Sequence, residues 1–107
     1  MALFNDLDAG LLVDLLRDRI NPKKSLGQHF LVDEKIILRS VELASEFNKP
    51  LSSESHVLEI GPGPGSLTLE LLRTNARLTA LEIDNESVSH LRRVFQNLEG
   101  RFILNEQ

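Results

Sequence analysis

The chain has 107 residues, of which 41% are hydrophobic and 26% are charged. This length and balance are typical of one globular domain and exclude a collagen-like or wholly disordered chain. The absence of cysteine excludes a disulfide framework, a thiolate metal site and a cysteine nucleophile. No apolar run approaches the roughly 20 residues of a membrane span. Asp6, Asp8 and Asp14 interrupt the apolar stretches that a secretory signal would need.

Charge is unevenly distributed along the chain. The formal net charge of −4 argues against a surface that binds nucleic acid throughout. Between Arg17 and Arg39, however, six basic residues stand against three acidic ones. This basic stretch is compatible with a polyanionic partner, although a solvated surface with scattered lysines explains it equally well.

Two helices are predicted before residue 50. The first spans Asp6 to Ile20, and Asn5 or Asp6 can cap its start. The second follows Asp33 as its cap and spans Glu34 to about Phe47. The apolar positions at helical spacing, which we expect to face the core, are Leu7, Leu11, Leu12, Leu15 and Leu16 in the first helix and Ile37, Val41 and Ala44 in the second.

After residue 55 the pattern alternates between short strands and helices. This alternation predicts an α/β fold with three parallel strands in the order 3-2-1, which is half of a doubly wound domain. One backbone edge of the first strand is expected to be unpaired, a known route to self-association, and we expect the chain to be a fragment. The predicted strands are His56–Ile60, Leu78–Ile83 and Arg101–Leu104, and the predicted helices are Ser66–Leu72 and Asp84 or Asn85 through Leu98, with Val88, Leu91, Val94 and Phe95 inward.

A glycine-rich segment, Glu59-Ile60-Gly61-Pro62-Gly63-Pro64-Gly65, lies where the first strand turns into the following helix. Gly61 allows a tight turn with positive φ. Gly63 lets the backbone approach a ligand closely, and Gly65 lets the helix start pack against the strand. The pattern predicts either a ligand-binding turn or a purely structural turn between strand and helix.

The two prolines and the spacing narrow the class of ligand. Pro62 and Pro64 remove two N–H donors, and a phosphate cradle depends on such donors. The dinucleotide fingerprint would need glycine at position 66, where the chain has Ser66. A nucleoside of modest charge therefore suits the turn better than a pyrophosphate, and a nicotinamide-dependent oxidoreductase is the weaker alternative.

An acidic residue at the end of the second strand supports the nucleoside interpretation. Glu82 lies where a carboxylate accepts hydrogen bonds from both ribose hydroxyls, and Ile83 could lie flat against an adenine ring. The alternative for Glu82 is an exposed carboxylate at a strand end.

Three ordered blocks resemble one family. They are Lys23-Lys24-Ser25-Leu26-Gly27-Gln28-His29-Phe30-Leu31, the glycine turn continued through Ser66-Leu67-Thr68, and Leu81-Glu82-Ile83-Asp84. The chain resembles the N-terminal part of the ribosomal RNA adenine dimethyltransferases, which include the macrolide-resistance methyltransferases. The resemblance covers residues 21–107, a partial Rossmann-like methyltransferase domain, and leaves residues 1–20 as a helical extension.

The resemblance implies methyl transfer from S-adenosylmethionine to the exocyclic amine of adenine in ribosomal RNA, without a metal. It places Gly61 and Gly63 under the cofactor's methionine and ribose, and it implies a cytoplasmic protein where the ribosome is cytoplasmic. Histidine replaces the asparagine that is common at position 29. The other implied roles are closure over the methionine end for Gln28, His29 and Leu31, ribose binding for Glu82, adenine packing for Ile83, and contacts with RNA phosphates for Lys23 and Lys24.

Two later blocks of the family are not found in the chain. They are an acidic residue after the third strand and an N-L-P-Y-like loop that grips the target amine of the flipped base. We therefore expect a donor-binding half with no catalytic residue and no turnover of its own. The alternative is a non-catalytic folding fragment or interaction module with an open sheet edge.

Overall fold

The computed structural model describes residues 4–18, 34–45, 50–98 and 100–107. Among these residues it contains a three-stranded sheet and four α-helices, preceded by a short 3₁₀ helix. In chain order the elements are the 3₁₀ helix Phe4–Asp6, α1 (Ala9–Arg17), α2 (Glu34–Ser45), β1 (His56–Ile60), α3 (Ser66–Arg73), β2 (Arg77–Glu82), α4 (Asn85–Val94) and β3 (Phe102–Glu106).

The sheet is parallel, and β2 lies between β1 and β3. Ile60 is in register with Leu81, and Glu82 is in register with Glu106. The carboxyl ends of the strands therefore meet at one edge of the sheet, where the glycine turn begins. The predicted fold class and the strand order 3-2-1 are confirmed.

The two faces of the sheet differ in burial. Leu78 and Ala80 on β2 are fully buried beneath α3 and α4. On the opposite face Leu58, Ile60 and Ile103 are 61%, 76% and 48% exposed. Because side chains alternate along a strand, the helices of the described residues cover one apolar face and leave the other open.

Helix α1 begins later than the sequence predicted. A 3₁₀ turn occupies Phe4–Asp6, and the cap is Asp8, whose carboxylate accepts a hydrogen bond from the Leu11 N–H at 2.8 Å. Helix α1 packs against α3 and α4. Of the predicted stripe, Leu7, Leu12 and Leu16 are buried, Leu11 and Leu15 are half-buried, and Ala9 and Val13 are buried without having been predicted.

Helix α2 buries a narrower face than its pattern suggested. Ile37 is buried and Val41 is half-buried, but Ala44 is exposed, so its predicted inward position was wrong. The helix packs against α3, and one helix partner covers only a narrow stripe. Residues 46 and 47, the end of the predicted helix, lie outside the described part of the chain.

Helix α4 is shorter than predicted and ends at Val94 rather than Leu98. Asp84 caps it by accepting a hydrogen bond from the Ser87 N–H at 2.9 Å. Val88, Leu91 and Phe95 are buried as expected, whereas Val94 is half-buried. Two residues with positive φ, Asn97 and Gly100, turn the chain into β3. None of the helices in the described ranges is long and apolar enough to cross a bilayer.

Candidate functional site

The glycine turn joins the end of β1 to the start of α3. All three of its glycines have positive φ, at 68° for Gly61, 56° for Gly63 and 96° for Gly65. A Cβ atom built on Gly61 or Gly63 meets no atom within 4 Å. The backbone at these two positions therefore borders open space that an atom of a ligand could occupy.

Gly65 serves a different purpose from its two neighbours. A Cβ atom at this position would lie 2.8 Å from Cε2 of Phe95 and 2.9 Å from Cδ2 of Leu91. Leu91 lies in the last turn of α4 and Phe95 caps the end of that helix, so Gly65 allows α4 to pack against the start of α3. The predicted packing of Gly65 against the strand was wrong, because α4 supplies the close contact.

Each N–H group of the turn is already engaged within the chain. The Gly61 N–H donates to the Leu81 carbonyl at 2.8 Å, and the Gly65 N–H donates to the Pro62 carbonyl at 3.0 Å. The Gly63 N–H donates to Oε1 of Glu82 at 2.9 Å. Since the two prolines have no N–H, residues 61–65 lack the converging free donors of a phosphate cradle. This geometry favours an uncharged or weakly charged ligand group at the turn.

Glu82 connects the end of β2 to the glycine turn. Its Oε1 accepts from the Gly63 N–H, and its Oε2 accepts from the Asp84 N–H at 3.0 Å. The side chain is only 7% exposed, so the alternative of an exposed strand-end carboxylate is wrong. Each carboxylate oxygen has two lone pairs, and therefore Glu82 retains capacity to accept further hydrogen bonds from a ligand.

Ile83 directly follows Glu82 and is 79% exposed. It lies at the same carboxyl edge of the sheet, one residue beyond the end of β2, and is exposed where Glu82 is buried. An apolar side chain next to a carboxylate that can accept hydrogen bonds is an arrangement suited to a nucleoside. The open backbone at Gly61 and Gly63 lies along the same edge.

Glu59 is a buried acid to which the sequence analysis assigned no role. Its Oε1 accepts a hydrogen bond from the Thr68 hydroxyl at 2.5 Å, and the residue is 8% exposed. The pKa of Glu59 is raised to about 7, chiefly by burial; the Thr68 hydrogen bond lowers the pKa, and the negative charge of Glu82 raises it by a smaller amount. The signal was available, because Glu59 interrupts the short apolar run of residues 57–60 at an inward position.

His90 is a second buried polar residue that the sequence analysis missed. It lies on α4, is fully buried, and contacts the Pro64 carbonyl through Nε2 at 2.7 Å. Its position between Val88 and Leu91, on the predicted inward face of a helix, was the available signal.

The structure thus brings together four of the predicted site residues, namely Gly61, Gly63, Glu82 and Ile83. The predicted methionine-end residues Gln28, His29 and Leu31 lie outside the described residues, as do the predicted RNA-binding residues Lys23 and Lys24.

Comparison with known proteins gives the same family that the sequence motifs resemble. Residues 19–104 match the family described as ribosomal RNA adenine dimethylase. The chain is 48% identical over 84 residues to ribosomal RNA small subunit methyltransferase A of Parabacteroides distasonis, covering 78% of this chain and 30% of that protein. It is 49% identical over 85 residues to the protein of the same name from Porphyromonas gingivalis, covering 79% and 31%. The chain therefore spans about a third of the length of these relatives.

A solved structure shares the fold. A Pyrococcus horikoshii protein assigned as an RNA methyltransferase superposes with a TM-score of 0.58 at 21% sequence identity. The match covers 90% of this chain and 48% of that one. The fold and the family match agree, and the chain belongs to the ribosomal RNA adenine dimethylase family.

Proposed function

We propose that this chain forms the S-adenosylmethionine-binding half of a ribosomal RNA adenine dimethyltransferase. The observation that carries the proposal is the contact between Glu82 and the Gly63 N–H, because it brings a carboxylate to a turn whose backbone borders open space. S-adenosylmethionine would supply an activated methyl group for transfer to an exocyclic amine of adenine.

The described residues fit this cofactor. The remaining lone pairs of Glu82 suit the two ribose hydroxyls, and the exposed side chain of Ile83 suits one face of the adenine. Gly61 and Gly63 leave room for the methionine and ribose portions. The turn has no converging free N–H groups, which suits a ligand without phosphates. The lack of such N–H groups in residues 61–65 also disfavours a dinucleotide, because a pyrophosphate needs these donors.

The remaining roles are proposed from family membership. Gln28, His29 and Leu31 would close over the methionine end of the cofactor. Lys23 and Lys24 would contact RNA phosphates, giving an affinity that depends on salt more than on sequence. The relatives are named for the small subunit, so we propose small-subunit ribosomal RNA as the substrate of the complete enzyme.

Isothermal titration calorimetry tests the cofactor proposal. S-adenosylmethionine should bind the wild-type chain, and Glu82→Gln should weaken binding about tenfold or more, since a hydrogen bond to a charged group contributes about 1.5–3 kcal/mol. Glu54→Gln is the matched control, because Glu54 is exposed in the loop before β1 and lies away from the carboxyl ends of the strands. NADH should bind poorly. A folded wild-type chain that binds no S-adenosylmethionine, or that prefers NADH, would contradict the proposal.

A second candidate function is self-association through the open side of the sheet. Among the described residues β1 has a strand neighbour on one side only, and the adjoining face exposes Leu58, Ile60 and Ile103. A second copy of the chain could pair with this edge and cover this face. Size-exclusion chromatography at several concentrations, with Leu58→Thr as the comparison, tests this candidate. A monomer throughout the concentration series would count against it.

A further inference from the structure

A fully buried histidine, His90, contacts the backbone of the glycine turn. Nε2 of His90 lies 2.7 Å from the carbonyl oxygen of Pro64, a residue 26 positions earlier in the chain. A carbonyl oxygen can only accept a hydrogen bond. Nε2 of His90 must therefore carry a hydrogen and donate the hydrogen bond to the Pro64 carbonyl. The hydrogen bond thus fixes the imidazole tautomer at this nitrogen.

The Pro64 carbonyl is the single backbone hydrogen-bonding group of its residue, because proline has no N–H. Pro64 is buried, and a buried carbonyl without a partner is costly. The peptide unit between Pro64 and Gly65 is therefore held at both ends, at its carbonyl by His90 and at its N–H by the Pro62 carbonyl.

Two side chains from different elements act on consecutive residues of the turn. Glu82, at the end of β2, accepts from the Gly63 N–H at 2.9 Å. His90, the sixth residue of α4, donates to the Pro64 carbonyl. Glu82 and Ile83, the proposed ribose- and adenine-binding residues, are followed directly by Asp84, the cap of the helix that carries His90. A shift of α4 would consequently move both the proposed nucleoside-binding residues, Glu82 and Ile83, and the glycine turn.

We propose that His90 is a positioning residue of the donor site, which sets the turn at Gly63–Gly65 in its binding conformation through the Pro64 carbonyl. This inference rests on the proposed function, because it takes S-adenosylmethionine as the ligand. His90 acts through the turn and does not touch the ligand in this proposal.

Two substitutions separate the hydrogen bond from the packing. His90→Phe retains a ring of similar size but removes the donor, and it should weaken S-adenosylmethionine binding about 5- to 20-fold by calorimetry. His90→Gln retains a side-chain N–H donor and should bind within about threefold of the wild type. Leu12→Ala is the control for general destabilisation, since Leu12 is fully buried in α1. It should lower the melting temperature while leaving the dissociation constant of the folded protein unchanged.

Nuclear magnetic resonance without ligand supplies an independent readout. In the wild type the ¹⁵N shifts of the His90 ring should show the proton on Nε2. His90→Phe should shift the amide signals of Gly63 and Gly65, and His90→Gln should restore them in large part. Unchanged amide signals and unchanged affinity in folded His90→Phe would overturn the inference, as would equal loss of affinity in both variants.

The two proposals fail in distinguishable ways. A folded wild-type chain that does not bind S-adenosylmethionine would reject the proposed function, while the amide signals of the turn would still report whether His90 positions it. Normal binding by the wild type together with normal binding by His90→Phe would reject the role of His90 alone.

Discussion

Oε1 of Glu82 and the N–H of Gly63 form a 2.9 Å hydrogen bond across 19 residues of sequence. This contact connects the end of β2 to the turn that follows β1, and the other carboxylate oxygen accepts from Asp84. Glu82 therefore has a structural task in addition to its proposed task in ribose binding. A loss of ligand affinity in a Glu82 variant has to be interpreted together with its effect on stability.

The structural task of Glu82 can be measured directly. Glu82→Ala leaves the N–H groups of Gly63 and Asp84 without their acceptor, so we expect the free energy of unfolding to fall by about 2–3 kcal/mol. Urea unfolding followed by circular dichroism measures this change. Glu106→Ala, at the register partner on β3, should cost much less because that side chain is exposed. Equal losses in the two variants would show that the contacts of Glu82 add no stability.

The glycines of the turn should respond differently to the same substitution. Gly63→Ala adds a methyl group into open space and should cost about 1 kcal/mol, because it places a non-glycine residue at positive φ. Gly65→Ala adds a clash with Leu91 and Phe95 and should cost about 2–4 kcal/mol in total. Denaturant midpoints of the two variants give the comparison. A Gly65→Ala protein as stable as Gly63→Ala would contradict the close packing of α4.

Glu59 should make the stability of the fold depend on pH. Its pKa is raised from 4.5 to about 7, chiefly by burial, so the folded state retains a proton that the unfolded state releases. Stability is therefore greatest below about pH 4.5 for this group, falls as the pH rises towards 7, and is lower by up to about 3 kcal/mol above that range. Urea unfolding from pH 4.5 to pH 8 measures the slope.

A neutral isostere should remove that dependence. Glu59→Gln is expected to show a flatter profile and to be more stable than the wild type at pH 8, because no buried charge has to form. Glu54→Gln, in an exposed loop, is the matched control and should retain the wild-type slope. A Glu59→Gln profile parallel to that of the wild type would assign the pH dependence to other groups.

The hydrogen bond from Thr68 should tune the same carboxyl group. The Thr68 hydroxyl lowers the pKa of Glu59, against the larger effect of burial. Thr68→Val retains the shape of the side chain but removes the donor, so the pKa of Glu59 should rise further. Titration of the Glu59 carboxyl carbon by ¹³C nuclear magnetic resonance measures this shift. A lower pKa in Thr68→Val would contradict the role of the hydroxyl.

Much of the fold was predictable from local pattern. The strand His56–Ile60 has its predicted bounds, because a short apolar run ends sharply at Gly61. Helix ends were less predictable. Asp8 rather than Asn5 or Asp6 caps α1, and α4 ends at Val94 before a turn at Asn97. Several nearby residues could have served at each end, and packing against the sheet selected among them.

The site was predictable in its residue types but not in its connections. The sequence singled out Glu82 and the glycines, but it could not show that Glu82 accepts from Gly63. Glu59 and His90 were missed although each occupies an inward position in its element, because such a position indicates burial but not a role. Their roles depend on which atoms approach them from distant parts of the chain.

The sequence by itself determined the order of strands and helices, the positive φ at Gly61 and the family to which the chain belongs. These features depend on local conformational preference and on the spacing of neighbouring residues. Only the tertiary structure decided that Gly65 faces α4, that one sheet face remains open among the described residues, that Glu59 is buried, and that His90 contacts the turn. Such relationships arise when the parallel sheet brings separate segments to one edge, where burial and hydrogen bonding act over distances that local sequence does not encode.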